Sequence, residues 1–405
     1  MTLNWLFLDL NSYFASVEQA EDPGLRGKPV AVVPTVADTT CCIAASYEAK
    51  AFGVKTGTMV REARKMCPGI IFLTGNHRKY VQYHNRIIDV VEKCIPVTKV
   101  MSIDEMVCQL IGREKIEQNA RAIANHIKQS IYSEISPALT CSIGIAPNKY
   151  LAKVASDMQK PDGLTVIHPE DIPHVFYKLT PRDFPGIGHN MERRFIENKC
   201  LTVEKLYRLS IAEMRSIWGG IMGDEFWHLI RGENLEEKET KKRTIGHSHV
   251  LPPKLRNYND ALAICVKLLS KACMRLREDG YFAKEMTLGV KFMTKDIDDK
   301  YWFFKCKFHE TQDTCFLCKE LEAVWRNVPK NKKMLRVGIT LSGLISQDKH
   351  QISLFEDYKS ESLMRAWDKI NKKYAKNLVY VASSQAVKDN FSARIAFQRI
   401  PKEYE

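Results

Sequence analysis

Short apolar runs alternate with amphipathic stretches over the first 170 or so residues. Leu6-Phe7-Leu8 runs up to Asp9 and reads as a buried strand, and Tyr13 to Gln19 reads as a helix capped near Asn11 or Ser12. The turn Arg26-Gly27-Lys28-Pro29 leads into a strand over Val30 to Val33, and Val60 to Met66 is helical. His84 to Lys93 is an amphipathic helix, with Ile87, Ile88, Val91 and the following Cys94 on one stripe; Gln118 to Ser133 is a second. Cys141 to Ala146 is a strand, and Lys149 to Asp157 the helix after it. The pattern is α+β, with helices backing a mainly antiparallel sheet. From Pro169 to Gly232 it turns all-helical, and Glu233 to Lys242 is an almost wholly polar linker. Strands over Lys284 to Met293 and Met334 to Leu341 then mix with helices over Tyr258 to Glu278 and Thr311 to Asn327. From Ser346 the chain is polar, with one amphipathic helix near Leu363 to Tyr374.

Acids stand where two buried strands should end: Asp9 after the first apolar run, and Asp104 and Glu105 in Ser102-Ile103-Asp104-Glu105. An ionised carboxylate there is costly unless a cation compensates it. Either site alone would be read as turn chemistry or a helix cap. Together, three hard oxygen donors from two strand ends suit a pair of Mg²⁺ ions clamping a phosphoryl transfer. Neighbouring strand residues point to opposite faces, so Asp104 and Glu105 reach one site only from a hairpin tip. Val97 to Met101 running in and Met106 to Leu110 running out supply that hairpin.

Length allows two to four domains in the 405 residues. Charge narrows the partners. The net +13 is uneven, since Lys241 to Ser346 holds 21 basic against 11 acidic residues, and such a concentrated surplus suggests nucleic acid. No apolar stretch approaches a membrane span, no secretory leader opens the chain, and the twelve cysteines are scattered, so a cytoplasmic, reduced protein is expected.

Beginning at Phe7-Leu8-Asp9-Leu10-Asn11-Ser12-Tyr13-Phe14-Ala15-Ser16-Val17-Glu18, ordered blocks resemble the Y-family DNA polymerases, the low-fidelity translesion enzymes. The blocks continue through Gly27-Lys28-Pro29-Val30, Ala45-Ser46-Tyr47-Glu48-Ala49-Lys50, Gly53-Val54-Lys55 and Ser102-Ile103-Asp104-Glu105. Further on stand Ser142 to Lys149, Ala155 to Gly163 and Pro185-Gly186-Ile187-Gly188; the tail is most similar to the bacterial polymerase IV and V branches.

The resemblance implies a right-hand fold: palm over residues 1–18 and 77–167, fingers 19–76, helix-hairpin-helix thumb 168–232, linker 233–242, little finger 243–345 and tail 346–405. It implies that Asp9, Asp104, Glu105 and the Leu10 carbonyl bind two Mg²⁺, with Mn²⁺ as a substitute, and that Phe14 is the steric gate against a 2′-OH. Tyr47, Lys50 and Lys160 would hold the triphosphate of a deoxynucleotide. Lys50 stands where many members have Arg, which loses a bidentate fork, and Ala44 stands where some have a hydroxyl. Gly186, Ile187, Gly188 and Arg243 would meet primer-template DNA, and Gln351, Leu354 and Phe355 in the tail resemble a bacterial sliding-clamp motif. The implied enzyme is a monomeric, error-prone, distributive DNA polymerase of DNA repair, off the membrane and a mutator, since no further acidic cluster suggests a proofreading exonuclease. An accessory subunit is a partner in the polymerase V branch.

Cys306, His309, Cys315 and Cys318 have spacing that permits zinc, but Cys315 and Cys318 also fall at i, i+3 on an apolar helix face with Leu321 and Val324. The core reading is preferred. Two rival functions are a non-catalytic DNA- and clamp-binding scaffold of the same fold, and a nucleotide cyclase. Retention of all three acids speaks against the scaffold, and the basic segment has no role in a cyclase.

Overall fold

The computed structural model describes residues 2–236, 241–294, 296, 298–350, 358–374, 378–390 and 400. The described residues pack as two compact units, one ending near residue 236 and the other starting near 241. Among them no helix is long and apolar enough to cross a membrane, and all twelve cysteines are unbridged.

The first unit opens with β1 (Trp5–Leu10), α1 (Tyr13–Glu21) and β2 (Val30–Val33). There follow β3 (Ala44–Ala45), α2 (Tyr47–Ala51), α3 (Val60–Met66), β4 (Ile71–Thr74) and the long α4 (His77–Cys94). Next come β5 (Lys99–Val100), β6 (Glu105–Gln109), α5 (Glu117–Glu134), β7 (Cys141–Ala146), α6 (Lys149–Met158) and β8 (Leu164–Val166). Five of these strands form one sheet in the order β5-β6-β1-β7-β8; β3-β2-β4 form a small separate sheet with its own core around Val33, Val54 and Val60.

β1 is buried along its whole length, because both faces of the large sheet are covered. Leu6, Leu8 and Leu10 join the core built with α1, α4 and α5, while Trp5 and Phe7 join the core under α6. Strand alternation therefore puts Asp9 on the Phe7 side, facing α6. That helix lies very close. A Cβ on Gly144 of β7 would fall 2.0 Å from the Ala152 carbonyl oxygen, so only glycine permits this approach. Asn148 caps α6 by accepting from Leu151 N, and its amide donates to the Leu229 and Glu233 carbonyls at 2.8 Å each.

Those carbonyls belong to the helical end of the unit: α7 (His189–Glu197), α8 (Val203–Arg208), α9 (Ile211–Trp218) and α10 (Ile221–Ile230). The second unit comprises β9 (Thr244–Val250), α11 (Tyr258–Glu278), β10 (Tyr281–Phe292), β11 (Tyr301–Thr311), α12 (Thr314–Trp325), β12 (Met334–Ser342), β13 (Ile345–Ser346) and α13 (Tyr358–Lys373). Its sheet runs β11-β10-β12-β9, and α11 and α12 cover one face. Cys318 is buried in that core, whereas Cys315 is exposed and Cys306 half-buried on β11. Arg277 of α11 ties α13 down through Asp368 at 2.6 and 2.8 Å.

Two boundaries differ from the sequence reading. Helix α4 begins at His77, a turn and more before His84, because Asn76 caps it through Lys79 N. Thr311 closes β11 rather than opening α12: Asp313 accepts from Cys315 N and Phe316 N and starts the helix at Thr314.

Candidate active site

Asp9 and Glu105 are Cα partners across the antiparallel β1–β6 pair, so both side chains leave the sheet on the same face. Glu105 is the first residue of β6, and Asp104 sits in the bend before it, where alternation has lapsed. The hairpin tip inferred from the sequence is thus present, and it brings the three acids together. Leu10 N donates to the Asp104 carbonyl at 2.9 Å, closing the bend onto β1. From behind, the buried His84 of α4 grips the Ile103 carbonyl through Nδ1 at 2.8 Å.

The carboxylates already have partners. Lys153 of α6 pairs with Asp9 and with Glu105 (2.8 Å), and stands 3.3 Å from Asp157 one turn further along its own helix. Lys160 bridges Asp9 and Asp157 at 2.8 Å each. Ser102 Oγ lies 2.6 Å from Asp104 Oδ1 and 3.3 Å from Glu105 Oε2, so one hydroxyl serves two acids. Burial raises the Asp104 pKa, helped by the charges of Asp9 and Glu105 and opposed by Ser102. Burial pulls the Lys153 ammonium the other way, yet Asp9, Asp157 and Glu105 hold it above the usual lysine range.

Among the described residues no three acid, histidine or cysteine side chains converge into a ready metal cage. The donor set itself fits a hard divalent cation: only oxygens, from two adjacent strand ends, with Asp9 and Glu105 on one face and Asp104 beside them. Lys153, Asp157, Ser102 and His84 were not singled out from the sequence. Lys153 and Asp157 are an i, i+4 pair on α6, a spacing that puts both on one side, and Lys160 joins Asp157 from the loop that follows the helix.

The other sequence-derived residues surround this cluster or lie elsewhere. Phe14 is half-buried on α1 and stacks on Tyr80, 4.4 Å between centroids. Tyr47 opens α2, capped by Ser46, and the Lys50 ammonium lies 4.2 Å from its ring centroid. Asn11, buried at the end of β1, accepts from Asp162 N at 2.8 Å and so fixes the loop that carries Lys160. Gly186 has φ +93°, Ile187 is buried, and exposed Gly188 caps α7 over a turn whose Pro185 carbonyl accepts from Tyr150 Oη. A 3-10 turn (Pro181–Asp183) rather than a full helix precedes it. Gln351, Leu354 and Phe355 lie outside the described residues.

In the second unit, Arg243 is exposed just before β9. The uncovered face of that sheet holds a trough of about 450 Å³ lined by Gly246, Ser248, Lys291, Tyr301, Phe303 and Arg336, among others. Gly289 and Gly338 face each other on its floor, and a Cβ on Gly289 would strike the Phe303 ring at 2.9 Å. The Phe303 ring therefore lies over Gly289, and Lys291 and Arg336 put positive charge on the trough's lining.

Residues 8–157 match the impB/mucB/samB family, and residues 242–354 match the impB/mucB/samB family C-terminal domain. DNA polymerase IV of Moorella thermoacetica is 30% identical over 390 residues, covering 94% of this chain and 95% of that protein. DNA polymerase IV of Pelotomaculum thermopropionicum is 31% identical over 389 residues, 94% of each. Among solved structures, a Y-family DNA polymerase chimera of Dbh and Dpo4 aligns with a TM-score of 0.68 at 25% identity, over 85% of this chain and 100% of that one. The insertion ternary complex of Dbh DNA polymerase aligns at 0.55 and 25% identity, over the same shares.

Proposed function

The chain belongs to the impB/mucB/samB family of Y-family DNA polymerases, and from that premise we propose that it copies damaged template by phosphoryl transfer at the Asp9–Asp104–Glu105 cluster. The observation that carries this reading is the facing of Asp9 and Glu105, with Asp104 on the adjoining bend. Asp9, Asp104, Glu105 and the Leu10 carbonyl would hold two Mg²⁺ or Mn²⁺ ions, which would supply Lewis acidity toward the primer hydroxyl and neutralise triphosphate charge.

The chain's own groups do the positioning. Lys160 beside Asp9 and Lys50 over the Tyr47 ring are the cations for a triphosphate, with the Tyr47 hydroxyl as a donor. Lys160 has only to turn from Asp9 and Asp157 to a phosphate oxygen. Phe14 walls the sugar side, braced by Tyr80, whose hydroxyl donates to Glu18 at 2.7 Å. Duplex backbone meets the N–H groups at Gly186–Gly188, Arg243, and the glycine-floored trough, through contacts that carry no sequence preference. Gln351, Leu354 and Phe355 place the enzyme on a sliding clamp, with Leu-Phe filling an apolar pocket.

Primer extension tests the reading directly. The intact protein extends a primer opposite undamaged and damaged templates, and Asp104→Ala loses on the order of a thousandfold in rate, the scale of removing an electrostatic group that meets the transition state. No extension by the intact protein sinks the proposal.

A further inference from the structure

Among the described residues, Lys153 is the one cation that touches acids from both strands. Its ammonium pairs with Asp9 of β1 and Glu105 of β6, and it lies 5.3 Å from the Phe7 ring centroid. The surroundings are poorly solvated, since the Asp9 side chain is 8% exposed and that of Lys153 18%. At such a place an ammonium and a divalent ion that need the same carboxylate oxygens exclude one another. The ammonium donates three directed hydrogen bonds, whereas Mg²⁺ requires those oxygens at roughly 2.0–2.1 Å around itself.

We propose that Lys153 is the resident counter-ion of the Asp9–Glu105 pair, which a divalent cation must displace to enter, so that this lysine sets the metal affinity of the site. The inference rests on the metal-site reading above. Two neighbours fit the role. Asp157, one turn along α6 and 35% exposed, is already within 3.3 Å and gives the displaced ammonium another partner. Lys160 differs: it bridges Asp9 and Asp157 but touches no acid of β6, and its alternative partner is a phosphate. Without Lys153, no cation among the described residues would bridge Glu105 to Asp9 across the antiparallel pair, since Lys160 reaches only Asp9 of the two, and like charges directly opposite are destabilising. The lysine therefore keeps the acids gathered while no metal is bound and surrenders them when one arrives.

The test is Mn²⁺ titration of the full chain, without DNA or nucleotide, reading free Mn²⁺ by electron paramagnetic resonance. Lys153→Gln binds Mn²⁺ on the order of tenfold tighter than the unaltered protein, the scale of a coupling between competing ligands. Lys153→Met, which keeps part of the stem along Phe7, moves the same way. In the metal-free state both melt about 2–4 °C lower, a loss of order 1 kcal/mol in a domain of this size, and Mn²⁺ closes the gap. Lys149→Gln, on the same helix but over the Trp5 ring, leaves affinity unchanged and excludes a general charge effect. Equal or weaker binding by Lys153→Gln, while Asp9→Asn loses binding, overturns the proposal. Wild-type binding by Asp9→Asn instead removes the metal-site reading, and the proposal with it.

Discussion

Phe14 and Tyr80 lie ring on ring, 4.4 Å between centroids and 18° between planes, with His77 edge-on to Phe14 at 6.1 Å. Tyr80 is itself held, by its own bond to Glu18 and by Tyr13 Oη donating to its carbonyl at 2.6 Å. A wall braced in this way discriminates by not yielding. Phe14→Ala is expected to admit ribonucleotides by a factor on the order of a hundred in the ratio of kcat/KM values, and Tyr80→Leu by about tenfold, each tenfold being 1.36 kcal/mol. Single-nucleotide incorporation of matched ribo- and deoxynucleotides measures both; an unchanged ratio in Phe14→Ala removes the gate.

The buried His84 carries a pH consequence. Burial holds its imidazole pKa below the usual value, only partly offset by the bond to Ile103. Between that lowered value and the unfolded value of about 6.5, the unfolded chain binds the extra proton, so stability rises with pH. The contribution is complete above about pH 6.5 and fades as the pH falls. Urea midpoints measured from pH 7.5 down to 5.5 should decline in the unaltered chain and decline less in His84→Gln; parallel curves would refute this.

Gly144→Ala sets a Cβ 2.0 Å from the Ala152 oxygen and 2.4 Å from Ser156 N, both backbone atoms of α6. The helix must move, at a cost near or above the upper end of the roughly 1–3 kcal/mol seen for overpacking. Because α6 carries Lys153 and Asp157, extension activity falls with the urea midpoint. Retained stability would mean that α6 shifts freely.

Removing Lys291 and Arg336 from the trough should weaken DNA binding alike for all sequences and flatten its salt dependence by roughly 0.9 for each phosphate no longer neutralised. Fluorescence anisotropy over a salt series decides it, an unchanged slope placing the phosphates elsewhere.

Deleting Leu354 and Phe355 is expected to abolish clamp-stimulated extension and spare clamp-free extension. Stimulation that survives the deletion locates the clamp contact elsewhere.

The acids were legible in the sequence because a buried strand tolerates a carboxylate only at its end, and because Asp104 and Glu105 need a lapse in alternation to point one way. Their partners were not. Lys153 looks like any lysine on an amphipathic helix until Gly144 draws α6 onto the sheet, an approach no local pattern announces. Strands β9 and β11 were missed for a related reason. Thr244–Val250 turns one side to solvent with few apolar residues, and Tyr301–Thr311 mixes aromatics with lysines on an edge strand, exposing Tyr301 and Phe303. Helix α4 was read short because its first turn is polar and relies on the Asn76 cap.

The opposition of Asp9 to Glu105 belongs to pairing rather than to either side chain. Sliding one strand by a single position would turn the glutamate toward Leu6 and Leu8 and leave the aspartate facing a neighbour of the wrong parity. Insertions or deletions between the two are thus sorted by where they are absorbed. Loops in that stretch can lengthen or shrink without touching the chemistry, whereas a change taken up within β1 or β6 is all-or-none.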